Sequence, residues 1–361
     1  MEPPAGRAPL CVTVQLLSAL ASIDVVVPAY NEEAHIERCL DRVLAQDYPG
    51  ERLAVFVVDA GSSDATAALV RERARSEPRL TLVDGRGRLN AGQAMNLGIA
   101  AGSGELVARV DAHTYVEPGY LRTAAEIMAE EDADVAEVGG QPLQEGETRF
   151  GRATAIARQS RFGVGGSVYS DTRPRAYVDT VQGGIYRRAA LSAVGAFAET
   201  MLVGEDIELN WRLRREGYRI LLDTRLGFRY TTRSSWSGAF RQYRNYGQAR
   251  VRTLAAHPGF IRPRHLVPSA AVGAFAALAA ATPASRRARR TLAVAGAAYA
   301  AAALCAGLKG AWREDLALAP TVAACFTALH LGYGVGMIEG LAERAAVRLG
   351  VREPRAAVAR R

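Results

Sequence analysis

Three acidic stretches carry the residues whose types and spacing can do chemistry in this chain. Asp59 closes the run Val57-Val58-Asp59 and is followed by Gly61-Ser62-Ser63-Asp64. A carboxylate placed there can accept hydrogen bonds from a nucleotide's base or ribose, or it can cap the helix that follows. Asp111 and His113 flank Ala112 at the end of an apolar run over 106–110. Residues i and i+2 of an extended segment face the same way, so this carboxylate and imidazole can converge on one divalent cation whose other ligands are diphosphate oxygens. The plainer alternative is a solvated aspartate beside a hydrogen-bonded histidine. Glu205 and Asp206 follow Gly204 on a turn into a helix, where only one of the two can point inward. That one can act as general base toward a hydroxyl, because a carboxylate in a closed pocket has its pKa raised toward neutrality. Helix capping by Asp206 is the competing use.

Regular elements must hold these groups. Residues 23–27 form a β-branched run closed by Pro28, and Asn31 can cap a helix carrying Ile36, Leu40, Val43 and Leu44 at helical spacing. Strands are expected over 54–58, 80–83 and 106–110, with helices from near Asp64 and over 91–101. This alternation implies a doubly wound, mostly parallel α/β sheet, which keeps its ligand groups at the carboxyl ends of the strands. A helix over 118–131 leads into a less regular half, with strands near 135–139, 179–186 and 219–222. A helix over 209–216 follows the Gly204 turn, ended by Gly217.

The basic excess of +8 is carried almost wholly by arginine, with Lys309 the lone lysine, which excludes a Walker A phosphate loop. Arginines gather over 229–264 and at Arg286, Arg287, Arg289 and Arg290, beside long apolar runs. That placement suits anionic lipid headgroups better than nucleic acid, with a solubilising role as the alternative. Cys11, Cys39, Cys305 and Cys325 show no paired spacing, so neither a disulfide framework nor a zinc site is indicated and a reduced cytosolic face is expected. The apolar stretch 10–20 lacks the flanks of a signal peptide.

From 234 to 252 aromatic and arginine residues interleave at helical spacing, as in a helix lying in the membrane interface, or one packed on the globular domain. The charge-free stretches 266–285, 291–308 and 316–338 are each long enough, or nearly so, to cross a bilayer. Three crossings from a cytosolic domain would put both following arginine clusters outside, against the positive-inside tendency, so two or three spans stay open. The expected organisation is a disordered leader over 1–21, a catalytic domain over 22–235, an amphipathic interfacial segment over 236–265, membrane helices over 266–340 and a basic tail over 341–361.

Five words in one order resemble the family 2 glycosyltransferases of the GT-A fold, over roughly residues 22–235. They are V-V-V-P-A-Y-N-E-E (25–33), V-V-D-A-G-S-S-D-A-T (57–66), L-N-A-G-Q-A-M-N-L-G-I-A (89–100), R-V-D-A-H (109–113) and G-E-D-I-E-L-N-W-R-L (204–213). Within that family the resemblance is to the membrane-anchored bacterial enzymes of the succinoglycan glucosyltransferase type. It implies that Pro28, Tyr30 and Glu32 line a nucleotide pocket, that Asp59 contacts the base, and that Gly92 and Asn96 lie by the donor diphosphate. It further implies that Asp111 and His113 hold a divalent cation, Mn2+ or Mg2+, and that Asp206 is the base, with Glu205 beside it facing substrate. Gly183 and Gly184 would leave room for a sugar.

Three positions depart from the family pattern. Ala60 stands where many members carry a second acid, His113 where aspartate is usual, and Q-Y-R-N-Y from Gln242 replaces the Q-x-x-R-W of processive polymerases. The last departure implies addition of one sugar. The implied activity is inverting transfer of a hexose from a nucleoside-diphosphate sugar, a UDP-sugar in the first instance, to a lipid-linked or other glycan in exopolysaccharide or cell-surface polysaccharide synthesis. Membrane lipids are implied partners and nucleic acid is not. The implied location is the inner cell membrane, with the catalytic domain cytoplasmic. The rivals are transfer to a polyprenyl phosphate, and a non-catalytic membrane component that binds nucleotide sugar.

Overall fold

A computed structural model describes residues 20–165, 173–257, 260 and 262–351. The expected leader therefore lies outside the described residues, save Leu20 and Ala21, which pack against the core while the Tyr48 hydroxyl donates to the Ala21 carbonyl. Arg352 and Arg355 of the expected basic tail also lie outside them.

The strands are β1 (Ile23–Ala29), β2 (Leu53–Asp59), β3 (Leu80–Asp84), β4 (Leu106–Arg109), β5 (Tyr115–Val116), β6 (Val135–Gly140), β7 (Pro142–Glu145), β8 (Arg175–Tyr177), β9 (Gln182–Arg187), β10 (Arg219–Asp223) and β11 (Phe228–Thr231). The helices are α1 (Ile36–Leu44), α2 (Thr66–Ala74), α3 (Ala91–Ala101), α4 (Tyr120–Glu130), α5 (Arg149–Gln159), α6 (Arg161–Val164), α7 (Arg188–Val194), α8 (Glu205–Arg215), α9 (Trp236–Ala256), α10 (Pro263–Ala281), α11 (Arg286–Ala311) and α12 (Ala319–Arg348).

Period-two alternation of β-branched residues makes the main sheet a two-faced wall. Val25 and Val27 of β1 and Val55 and Val57 of β2 enter one core with Ile36, Leu40 and Val43 of α1 and Leu121, Ala124 and Ile127 of α4. Val26 and Val58 point the other way, to Ala94 and Met95 of α3, Leu191 of α7, and Leu209 and Leu213 of α8. Among the described residues the sheet has eight strands in the order β3-β2-β1-β4-β9-β6-β10-β8. The β3-β2-β1-β4 half is parallel, as expected. Beyond it β9 runs antiparallel to both neighbours, β6 and β10 pair in parallel, and β8 closes the edge antiparallel, so the whole sheet is mixed. A second sheet, β5-β11-β7, was not expected from the sequence.

Some boundaries move for local reasons. Asn31 does not cap α1. It sits in the left-handed region (φ 54°), and its Oδ1 accepts from Ser63 N at 2.8 Å, lacing the loop after β1 to the loop after β2. Helix α8 begins at Glu205 rather than 209, because Gly204 adopts φ 83° and ends the preceding loop. Asp206 thus lies in the first helical turn.

Helix α9 lies between α12 and the α/β domain, where Gln242 Nε2 donates to the Tyr230 hydroxyl of β11 at 2.9 Å and Ala239 and Tyr243 cluster with Ala153 and Ile156 of α5. Arg244 Nε donates to Glu339 Oε2 at 2.7 Å, and the Trp236 indole donates to Thr327 Oγ1 at 3.1 Å. The two backbones approach so closely that a Cβ at Gly336 would sit 2.0 Å from the Arg244 carbonyl oxygen. Helices α10 and α11 and the segment Leu316–Arg348 are each long and apolar enough to cross a membrane.

Candidate active site

Parallel pairing with Ala29 opposite Asp59 and Val26 opposite Arg109 brings the carboxyl ends of β1, β2 and β4 to one edge. A crevice opens there, the place where open α/β sheets bind ligands. Its inner part is a cavity of about 220 Å³ walled by Pro28, Tyr30 and Glu32 after β1, Ala60 after β2, Asn90 and Ala91 at the start of α3, and Arg109, Asp111 and His113 after β4. The loops around it are cross-tied: Asn31 N donates to Ser62 Oγ at 3.0 Å, and Glu32 N to Thr66 Oγ1 at 2.8 Å. Asn90 caps α3 reciprocally with Gln93, and its Nδ2 reaches the Glu199 carbonyl at 2.6 Å. The helix therefore presents its N-terminal turn to the cavity, as an anionic group requires.

Arg109 joins this inner cavity to the outer one. Its Nε donates to Asp111 Oδ1 and its Nη1 to Glu205 Oε1, both at 2.8 Å. The residue that links the strand-end acid to the helix-start acids was given no role in the sequence reading. Its signal there was its place two residues before Asp111. The larger cavity, about 2080 Å³, is lined by Arg109, Asp111, His113, Gly204, Glu205 and Asp206 and runs on toward the apolar helices.

The charges in this crevice shape one another. Burial raises the Asp206 carboxyl to about 6, with repulsion from Glu205 adding to the rise and Arg109 opposing it. Burial also acts to raise the Asp111 carboxyl, but the charge and hydrogen bond of Arg109 outweigh it and hold Asp111 below its ordinary value. The hydrogen bond to Glu32 raises the His113 imidazole against the effect of burial.

Beneath them Glu137 of β6 is completely buried, facing Tyr186 and Asn210. Burial pushes its carboxyl well above the carboxylate range, and the charge of Asp206 adds to the push despite the Tyr186 hydroxyl. Glu137 is a buried acid under the crevice that the sequence reading missed, since an acid in a β-run gives no sign of which face it takes.

His113 Nδ1 pairs with Glu32 Oε1 at 2.9 Å, so its Nε2 is the nitrogen left for a cation, while Asp111 offers Oδ2. Among the described residues, no group of three or more His, Cys, Asp or Glu side chains is arranged to hold a metal ion. Two protein donors do fit a cation that takes the rest of its shell from phosphate oxygens and water.

Five expected site residues are placed otherwise. Asp59 lines neither cavity; its Oδ1 accepts from Ser62 N at 3.2 Å, turning the loop, and its neighbour Ala60 forms the wall. Asn96 is spent on packing: its Nδ2 donates to the Phe197 carbonyl at 2.9 Å and its Oδ1 accepts from Phe197 N at 3.0 Å. Gly92 faces the same loop, where a Cβ would sit 3.0 Å from the Ala198 carbonyl oxygen. Gly183 and Gly184 make room for side chains rather than a sugar. A Cβ at Gly183 would lie 2.7 Å from Tyr120 Oη, and one at Gly184 would lie 2.1 Å from Glu137 Oε1.

The sequence pattern of glycosyl transferase family 2 matches residues 24–194. The succinoglycan biosynthesis protein ExoA of Rhizobium meliloti (strain 1021) is 31% identical over 260 residues, spanning 71% of this chain and 77% of that protein. Dolichyl N-acetyl-alpha-D-glucosaminyl phosphate 3-beta-D-2,3-diacetamido-2,3-dideoxy-beta-D-glucuronosyltransferase of Methanococcus voltae is 26% identical over 234 residues, 63% of this chain and 72% of that protein. Among solved structures, the mannosyltransferase PcManGT from Pyrobaculum calidifontis, in complex with GDP-Man and Mn2+, superposes with a TM-score of 0.60 at 23% identity. That match covers 90% of this chain and 88% of the other, so the two share a fold.

Proposed function

The chain belongs to glycosyl transferase family 2, and from that premise we propose that it is a membrane-bound inverting transferase moving one hexose from a nucleoside-diphosphate sugar to a hydroxyl of a lipid-linked glycan. The observation that carries this reading is the Arg109 bridge, which puts Asp111 and Asp206 on the wall of one cavity. The relatives support the process: one is named for succinoglycan biosynthesis and another for transfer to a dolichyl-phosphate-linked sugar.

In this reading the nucleotide enters the inner cavity between Tyr30 and Ala60, with its diphosphate against the start of α3. Asp111 and His113 would hold a divalent cation, whose charge, when bound, offsets that of the diphosphate. Arg109 keeps Asp111 ionised and in place. Asp206, poised near neutrality, takes the proton from the acceptor hydroxyl as that oxygen attacks the anomeric carbon on the face opposite the leaving diphosphate. UDP is the proposed nucleotide, and the proposed location is the inner cell membrane with the α/β domain on the cytoplasmic side.

Purified full-length protein, given single UDP-sugars, manganese and a membrane lipid extract, should release UDP only when donor and extract are both present. Substituting Asp206→Asn should slow that release by about 10²–10⁴-fold. An Asp206→Asn protein of near-normal turnover would point instead to an acceptor that is already an anion, such as a polyprenyl phosphate. No release above background with any donor would leave only a binding role.

A further inference from the structure

The larger cavity runs past Asp111 and Asp206 to a cluster of cations. Among the described residues, Asp179 takes ion pairs from Arg214 Nη1 at 2.9 Å, Arg262 Nη1 at 3.0 Å and Arg264 Nη2 at 3.5 Å. One carboxylate among three guanidiniums leaves an excess of positive charge. Arg250, stacked over the Phe260 ring at 5.0 Å, lines the same wall. The crowding is felt by Arg214, which burial and, against the pull of Asp179, the charge of Arg262 hold below its ordinary value. Guanidiniums gathered in this way are suited to a phosphate.

Immediately beyond Arg264, α10 continues as an apolar helix long enough to cross a membrane, with only 6% of its apolar window buried. Val267, Ala271, Phe275 and Ala279 recur every fourth residue, hence on one stripe, and all four line the cavity. Leu292 of α11 and Leu331 of α12 also line it. The cavity is thus a groove with a cationic mouth and an apolar floor, and the mouth lies at the end of a membrane helix.

We propose that this groove binds a lipid phosphate, with its phosphate or diphosphate on Arg214, Arg262 and Arg264 and its hydrocarbon chain along α10, and that this lipid carries the acceptor glycan. The proposal rests on the transferase reading and adds the acceptor's anchor to it. Charge complementarity at the mouth and the uncovered stripe below it together select an amphiphile of this kind. Arg214 stands eight residues after Asp206 on α8, about 12 Å along the axis at 1.5 Å per residue. The proposal therefore sets the phosphate at the mouth and the reacting hydroxyl at Asp206. The intervening length is filled by glycan, whose hydroxyl reaches the base.

The test uses full-length protein in detergent micelles, with farnesyl diphosphate, farnesol and inorganic diphosphate as separate probes. Farnesyl diphosphate should bind at least about tenfold more tightly than either partial probe, since it alone meets both ends of the groove. The double variant Arg262→Gln, Arg264→Gln should lose at least about tenfold in farnesyl diphosphate affinity, on the scale of one charge-assisted hydrogen bond. Ala271→Trp should cancel the advantage over inorganic diphosphate by filling the floor. The pair Arg286→Gln, Arg287→Gln, on α11 and outside the groove, should change nothing. Unaltered farnesyl diphosphate binding in the Arg262, Arg264 variant would overturn the proposal, as would equal displacement by phosphatidylglycerol, which would mark a general headgroup contact. Manganese-dependent UDP binding in the same samples separates the two readings. If it is intact while farnesyl diphosphate binds no better than farnesol, the groove proposal alone fails. If wild-type protein binds farnesyl diphosphate but no nucleotide, the transferase site fails and takes the acceptor role with it.

Discussion

Arg109 Nη1 lies 2.8 Å from Glu205 Oε1, joining the end of β4 to the first turn of α8 across 96 residues of sequence. Both side chains are largely withdrawn from solvent, at 16% and 7% exposure. The pair fixes where Asp206, the next residue on α8, stands relative to Asp111.

Removing that bridge should be costly in two ways. Arg109→Leu leaves Glu205 buried without its ion-pair partner, a loss on the order of 3–5 kcal/mol, seen as a lowered Tm. Because Arg109 lowers the Asp206 pKa, its loss should also move the acidic limb of kcat toward higher pH in whatever protein folds. An unshifted limb would separate Arg109 from the base.

The pH dependence follows from the sign of the Asp206 shift. A general base works ionised, so kcat should fall as pH drops through about 6 and level off above it, rather than near the ordinary aspartate value of about 4. Asp206→Asn should lower kcat by about 10²–10⁴-fold with the donor's KM little changed, and erase the limb. A limb that survives in the variant would belong to another group.

Glu32 holds the His113 ring by Nδ1 at 2.9 Å. Glu32→Ala should therefore weaken manganese binding in the presence of UDP by about 10–100-fold, the usual cost of losing a partner that orients a ligand. Titration of manganese against UDP affinity measures this directly. Equal affinities would show that His113 is not a ligand.

Gly184→Ala tests whether that glycine serves packing or sugar recognition. The added methyl meets Glu137 Oε1 at 2.1 Å and Tyr186 Oη at 2.7 Å, inside the fold. Overpacking of this kind costs about 1–3 kcal/mol, so Tm should drop while the donor's KM in the folded protein stays near wild type. A raised KM at unchanged Tm would return Gly184 to the sugar site.

By itself the sequence determined which strand ends carry the candidate acids and where the apolar helices of bilayer length lie. A β-branched run closed by Pro28 or Asp59, or leading to Asp111, is a local signal, and so is an apolar run of bilayer length, because each is set by side chains a few residues apart. What only the tertiary structure decided was what each of those residues faces. Asn96 and Gly92 match the family's donor word, yet they pack on the loop at 197–199, and Gly183 and Gly184 admit Tyr120 and Glu137. The strands β5, β7 and β11 are two to four residues long, too short to leave a period, and they form only because the chain returns to pair them. The same holds for Arg109 and Glu137: a charged side chain inside an apolar run reads alike whether it is exposed, buried or paired. Its role is set by a partner that pairing and packing bring to it from a distant part of the chain.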